Sequence, residues 1–536
     1  MSLSRPTELK AELRHARAIE EDLSQYTFLR YTEGGATVCS RLPKPGYYRL
    51  RVFVGQLNET SLKQVADYLL FTDRGCPDQE PFPGKSDVVG LKLPVATECG
   101  LQRVKNATAI FHAKKGTVRV SVPLSRHTEL KVQLKHARAV QEDLCRYAFL
   151  QYTRDGAMIS ARLPKPGYYR LRVFANHPNE GKLLQAADFL LFADKGCADQ
   201  EPLPEKSGVW GFQKPDAIKC GFKRVRNAKV RFTAKDGQVH VPLSLIGHVQ
   251  LKAHLKHARS MQEDLGHFLF LEYTHDGAMI HARLPKPGYY MLRVFASDPK
   301  ETNMSHVADF LLSAEKGCGD LEPFPDKSGV IGLKIPVAVD CGLRQNRNAG
   351  VLFNAQNGEV QVPVSLSRFT EIKAQLNHAS SMQEDLAHFT FIEYTKGRAI
   401  IRARLPKPGY YRLRVFADNS KEDMHLVHAA DFLLSADQGR ADCKPFPKAC
   451  KLAHQQQVKL LQPLNGQLPR DVSTLFRIRA PGLGVVKIGD MMMEKKNDGV
   501  WEAKVTPSKG QHGVIVYAAE DEKAVSVAGV YQFTVV

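Results

Sequence analysis

The chain has 536 residues, with 75 Lys and Arg against 56 Asp and Glu, a formal net charge of +19 and a pI near 9.4. Apolar residues make up 43% and charged residues 24%, a globular composition that excludes a disordered tail, a collagen and a coiled coil. There is no apolar run of about 18 residues for a membrane helix, and the charged start, Met1 to Arg17, lacks the apolar stretch of a secretion signal. Ten cysteines are ordinary usage for this length rather than a disulfide scaffold. The expectation is a soluble, basic, cytoplasmic chain of several domains.

Read from the N-terminus, the segment Leu-Pro-Lys-Pro-Gly-Tyr-Tyr starts at Leu42 and returns at Leu163, Leu284 and Leu405, a constant step of 121 residues. His15, His136, His257 and His378 keep that step, as do Asp22, Asp143, Asp264 and Asp385. So do Cys76, Cys197 and Cys318, and Cys99, Cys220 and Cys341. A period this long is a whole domain rather than a solenoid unit. After each Ala-Asp-Tyr/Phe-Leu-Leu strand, starting at Ala66, Ala187, Ala308 and Ala430, comes a Pro-rich linker: 80–83, 201–204, 322–325 and 444–447. The chain stops at Tyr531-Gln-Phe-Thr-Val-Val536, after a weaker copy of the motif at Thr506 to His512. This frame predicts a partial unit over 1–78, full units over 79–199, 200–320 and 321–443, and a divergent unit over 444–536. A first unit without its N-terminal strands either borrows strands or belongs to a longer product, and the second is favoured because half a sandwich leaves an open core face.

Within a unit the pattern alternates. Leu130, Val132 and Leu134 alternate with polar residues, and Tyr147–Tyr152 and Met158–Leu163 flank an Arg154-Asp155-Gly156 turn. Tyr168 to Phe174 alternates again, and Gln238 to Pro242 follows an Asp236-Gly237 turn. Many short strands between turns predict an all-β fold, a tandem array of immunoglobulin-like antiparallel β-sandwich domains. Gly46 and Tyr48, Gly167 and Tyr169, Gly288 and Tyr290, and Gly409 and Tyr411 have the spacing of a tyrosine corner; the last unit has Gly510 and His512 instead. With Tyr48, Leu50 and Val52 facing the core, Tyr47, Arg49, Arg51 and Phe53 face away.

The stretch Leu163-Pro-Lys-Pro-Gly-Tyr-Tyr-Arg-Leu-Arg-Val-Phe-Ala175 and its equivalents from Leu42, Leu284 and Leu405 resemble the repeats of the kyphoscoliosis peptidase and hillarin family. Cys220-Gly-Phe and Cys341-Gly-Leu resemble that family's lead-in to its first strands. The resemblance implies a transglutaminase-like core with a Cys-His-Asp triad upstream of such repeats, and association with the cytoskeleton, notably muscle Z-discs with filamin-type partners. The core's Cys should open a helix, where the dipole lowers its pKa. Cys39 is mid-strand, and Cys76, Cys99, Cys443 and Cys450 lie in linkers or lead-ins, so no catalytic residues are assigned and no enzyme activity is expected of this chain. Gly-x-Ser-x-Gly, His-Glu-x-x-His and dinucleotide fingerprints are missing, and Gly84-Lys85-Ser86 has Gln79 where a P-loop needs Gly.

Other candidates concern binding. Pairs such as Cys197 and Cys220 would serve as a disulfide clamp or metal ligands, but no Cys-x-x-Cys spacing supports a metal, and free thiols packed at the domain junction are the expectation. No cofactor is implied. His136 with Asp143 and its equivalents would form a repeated acid–base pair, against which stands a plain loop hydrogen-bonding role. Arg41, Arg49 and Arg51, Arg162, Arg170 and Arg172, Arg283 and Arg293, and Arg404, Arg412 and Arg414 join Lys44, Lys165, Lys286 and Lys407 as a candidate basic and aromatic face; the third unit has Met291 in place of an Arg. Such a face suits a protein interface, an acidic filament, nucleic acid or an anionic membrane, with a solvated, internally paired sheet face as the alternative. Nucleic acid is disfavoured because no recognition motif accompanies the charge. Sequons at Asn58, Asn106 and Asn303 lack a secretion signal. The reading is a non-catalytic, cytoskeleton-associated scaffold for protein partners of the actin or filamin type. Two alternatives stand beside it: the C-terminal part of a transglutaminase-like peptidase, or an extracellular adhesion array.

Overall fold

The structure is a computed structural model. It describes residues 8–32, 35–55, 62–76, 80–83, 88–93, 95–102, 108–138, 142, 144–197, 201–204, 208–213, 216–223, 228–247, 249–274, 276–297, 303–318, 322–325, 327, 329–335, 337–344, 350–381, 384, 386–419, 426–450, 453, 458–508, 511–519 and 528–536. The chain divides into two compact units, residues 1–237 with 255–263 and 286–317, and residues 238–254 with 264–285 and 318–536.

The chain is all-β, as its alternation predicts. In the second repeat, Thr117–Pro123, Gly156–Arg162 and Ala148–Tyr152 form one antiparallel sheet. Leu130–His136, Gly167–Asn176 and Leu183–Ala193 form the other, and Ile110–His112 adds to it in parallel. Alternate side chains of both sheets, among them Val118, Val120, Val132, Leu134, Ile159, Tyr169, Leu171 and Val173, close a dry core between them. A register shift after Val173 bends the central strand, and the same shift follows Val52, Val294 and Val415. The fourth repeat is built the same way on Glu359–Leu366, Arg398–Arg404 and Thr390–Thr395 against Ile372–His378, Gly409–Asp418 and Leu426–Ala436. The last repeat has its own core around Phe476, Trp501, Val516 and Phe533.

The segments following the Pro-rich linkers are more ordered than flexible tethers. Val88–Leu91 pairs in parallel with Thr27–Thr32 of the first repeat and antiparallel with Leu183–Ala193 of the second. Val209–Phe212 joins Ala148–Tyr152 to Met304–Ala314, and Val330–Leu333 joins Leu269–Thr274 to Leu426–Ala436, in the same two senses. At these three junctions one sheet of a repeat therefore runs without a break into a sheet of the next. A glycine stands in each bridging strand, Gly90, Gly211 and Gly332, at φ of +107°, +99° and +106°, a region that L side chains avoid. A one-turn helix follows each: Val95–Glu98, Asp216–Lys219 and Val337–Asp340.

Candidate functional site

The recurrent motif builds a brace at the end of each of the first four sandwiches. Tyr48, Tyr169, Tyr290 and Tyr411 are fully buried, and each hydroxyl donates to a backbone carbonyl four residues back, at Lys44 (2.6 Å), Lys165 (2.8 Å), Lys286 (2.7 Å) and Lys407 (2.8 Å). The same hydroxyls accept from the amides of those lysines. Burial pushes the Tyr169 and Tyr411 phenols up to about 12. His15, His136, His257 and His378 lie edge-on against these rings at 4.6–4.8 Å. Each His Nε2 is 2.9–3.2 Å from the carbonyl of the second Pro of the motif, and Nδ1 accepts a backbone N–H two residues on. Both ring nitrogens are engaged by backbone, as in a turn brace. Asp22 and Asp264 accept from the amides of Ser24 and Gly266; Asp143 and Asp385 lie outside the described residues, as does Gly510.

The candidate basic face is mostly charge-balanced. Arg170 is buried with two parallel hydrogen bonds to Asp188 at 2.9 and 2.7 Å, and Arg412 is buried likewise against Asp431 at 2.9 and 2.9 Å. Neither can reach out to a filament. Burial would raise the Asp431 carboxyl, but bonds from His428 and Arg412 outweigh it and hold the group well below the usual carboxylate range. Arg172 lies 3.5 Å from the Gln133 amide oxygen and 3.9 Å from Asp188, and Arg51 and Arg414 are half-buried. Arg293 pairs with Asp309 at 2.9 Å, while Met291 is buried with Trp210, Leu203 and Leu311, an apolar answer to the Arg–Asp pair. Arg49 pairs with Asp67 at 2.6 Å but stays exposed. The half-exposed Lys44, Lys165, Lys286 and Lys407 pair with Glu21, Glu142, Glu263 and Glu384 at 2.6–3.0 Å.

In the second, third and fourth repeats, side chains facing away from the core meet the preceding repeat instead of solvent. Phe82, in the first linker, donates its amide to Gln25 and packs its ring against Phe28 at 5.0 Å and Tyr168 at 5.5 Å. The Arg41 guanidinium lies 4.2 Å from the Phe82 ring centre and 4.4 Å from that of Tyr168, and donates to the Glu80 carbonyl at 3.1 Å and to the Tyr168 hydroxyl. Arg283 repeats this on Phe324 (3.9 Å), Tyr410 (4.4 Å), the Glu322 carbonyl (2.9 Å) and the Tyr410 hydroxyl. Arg404 lies 3.9 Å from Phe446 and donates to the Lys444 carbonyl at 2.6 Å. At the second junction Arg162 stacks on Tyr289 at 4.6 Å, and Leu203 stands where the others have Phe. A desolvated guanidinium between two rings contributes about 2 kcal/mol. Glu80 reaches forward to pair with Arg138 at 2.8 Å, and its carboxylate lies where a Cβ on Gly167 would meet it. That glycine is required by its φ of +114°, a region that L side chains avoid, whereas the flexible end of Glu80 can give way.

Looking for outward charge finds Arg41, Arg162, Arg283 and Arg404 but misses the linker side chains and bridging glycines around them. Their signal was available in the 121-residue step: Phe82, Leu203 and Phe324 keep it, as do Gly90, Gly211 and Gly332, and Arg41, Arg162, Arg283 and Arg404.

The ten cysteines are free thiols. Cys99, Cys220 and Cys341 are buried inside the sandwiches rather than at their junctions, with Sγ 3.7–3.8 Å from the carbonyls of Ala175, Ala296 and Ala417. Burial pushes the Cys99 thiol up, away from a reactive thiolate. Among the described residues no group of three His, Cys, Asp or Glu side chains could hold a metal ion, and no helix is long and apolar enough to cross a membrane.

Among solved structures, the chain is similar to the Sidekick-1 immunoglobulin domains 1–5 at 11% identity, over 98% of this chain and 92% of that one, with a TM-score of 0.14. It is similar to an I-band fragment of titin at 10% identity, over 61% of this chain and 94% of that one, with a TM-score of 0.12. No curated protein matches it. The family model for the KY-like, immunoglobulin-like domain matches residues 1–83, 97–204, 210–325 and 339–447. Four copies of one sandwich, each braced by its tyrosine corner, thus have their counterpart in sequence, and the chain belongs to the family of KY-like immunoglobulin-like domains.

Proposed function

We propose that this chain is a non-catalytic scaffold, cytoplasmic and cytoskeleton-associated, whose linked repeats bind protein partners of the actin or filamin type. The observation that supports this reading is the junction itself: a bridging strand shared by two sandwiches, with a guanidinium held against linker or next-repeat aromatics. Such a joint removes much of the freedom that a Gly/Ser-type tether would leave. Weak contacts at several repeats then reinforce one another. Buried thiols and backbone-engaged histidines fit a supporting rather than a catalytic role.

With Arg170 and Arg412 buried, the contact surface of this reading moves to the half-exposed Lys44, Lys165, Lys286 and Lys407. Co-sedimentation of the full chain with actin filaments, with and without a filamin-type cross-linker, tests it across a salt series. Pelleting should weaken as salt rises, and replacing all four lysines by glutamine should weaken it by about tenfold or more, each single change much less. Absence of pelleting at every salt concentration, in both arms, would remove the cytoskeletal reading.

A further inference from the structure

The first repeat leaves open what the later repeats cover. In the second repeat the outer edge of Leu183–Ala193 receives Val88–Leu91, with Ala187 opposite Leu91 and Asp188 opposite Gly90, and also Ile110–His112, with Leu190 opposite Ile110. The fourth repeat repeats this at Leu426–Ala436 with Val330–Leu333 and Leu352–Asn354. In the first repeat the matching strand Lys63–Thr72 is the edge of a three-stranded sheet, and among the described residues nothing pairs with its outer side.

The side chains record the difference position by position. Leu190 is 4% exposed and its counterpart Leu69 is 76% exposed. Arg170 and Asp188 are buried, whereas Arg49 and Asp67 form the same pair in the open. The Tyr168–Phe192 ring pair, 4.6 Å apart, has its counterpart in Tyr47 and Phe71, 4.7 Å apart and both more than half exposed. On the inward side, Phe189 packs in its core while Tyr68 is 44% exposed. An open strand edge flanked by apolar rings and a preformed Arg–Asp pair is a receptor for strand addition.

We propose that Lys63–Thr72 and its exposed face take an N-terminal half-repeat of the same kind. The occupant would present an acidic residue, Pro, aromatic and Pro, then a short apolar strand with a positive-φ glycine, then a second short strand in parallel. The internal junctions supply the template: its first strand pairs antiparallel at Ala66 and Asp67, its second pairs in parallel at Leu69 to Phe71, and its aromatic seats beside Tyr47. The occupant is thus defined by the chemistry of residues 80–123 of this chain.

A labelled synthetic peptide of residues 80–123, titrated into the full-length chain, tests this by fluorescence anisotropy. Saturable one-to-one binding is expected, weakened about tenfold or more by Leu69→Lys. A peptide with Phe82 and Val89 replaced by Asp should not bind. Leu69 is exposed, so the variant should keep the parent's circular dichroism and melting temperature; Phe71→Lys serves as the second variant. No saturable binding, or binding that both variants leave unchanged, overturns the proposal. Self-association of the chain that Leu69→Lys abolishes, without peptide binding, would instead assign the face to a second copy and overturn it too. The scaffold reading is independent of either result.

Discussion

At the scale of single residues, environment rather than identity sets what a recurrent position contributes. Arg170 and Arg49 occupy equivalent places and bond equivalent carboxylates, but one pair is buried and the other faces water. Arg170→Ala leaves the Asp188 carboxylate without its main partner in a dry site and should cost about 3–5 kcal/mol. Arg49→Ala should cost far less, because water screens the exposed pair. Chemical denaturation of both variants checks the contrast, and equal losses would contradict the burial argument. The corner tyrosines give a pH signature. With folded phenols pushed up to about 12 at Tyr169 and Tyr411, the unfolded chain ionises first, near 10. The folded state then binds more protons, so stability is full below pH 10 and falls as pH rises from there to about 12. Tyr169→Phe plus Tyr411→Phe should flatten that alkaline loss relative to the parent.

At the scale of elements, much was legible and the omission has a clear cause. Period-two alternation identifies which side chains leave their own core, and it placed Tyr48, Leu50 and Val52 correctly. It is silent on whether another sandwich covers the opposite face, so Arg170 and Arg412 read as solvent-facing. Asp188 stands in the Ala-Asp-Phe-Leu-Leu segment that recurs with its arginine, yet they meet only across two strands, which local spacing does not reveal. The linkers read as Pro-rich spacers because bridging strands of four residues are too short to show alternation. The third-repeat Met291 makes sense only beside Trp210, which takes up the space at that junction. Arg283→Ala removes ring contacts and two hydrogen bonds at once. It should lower stability by about 2–4 kcal/mol and split the unfolding of the flanking repeats into separate transitions. A single unchanged transition by differential scanning calorimetry would show that Arg283 does not couple them.

At the scale of the whole molecule, the account rests on each bridging strand being a structural member of two repeats. Leu29 opposite Val88, Leu150 opposite Val209 and Leu271 opposite Val330 mark the hold on the preceding repeat. The amides of Lys92, Gln213 and Lys334 mark the hold on the following one, donating at 2.8, 2.7 and 2.8 Å to the carbonyls of Ala186, Val307 and Ala429. A linker outside the fold would have such amides bonded to water and exchanging at the rate of an unstructured peptide. The decisive measurement is therefore amide hydrogen exchange of the intact chain, resolved at these three positions. Protection matching that of the adjacent long strands, lost at Lys334 in Arg283→Ala, is what a scaffold of coupled repeats predicts. Free exchange at all three while the sandwich cores stay protected would make the chain a string of independent domains.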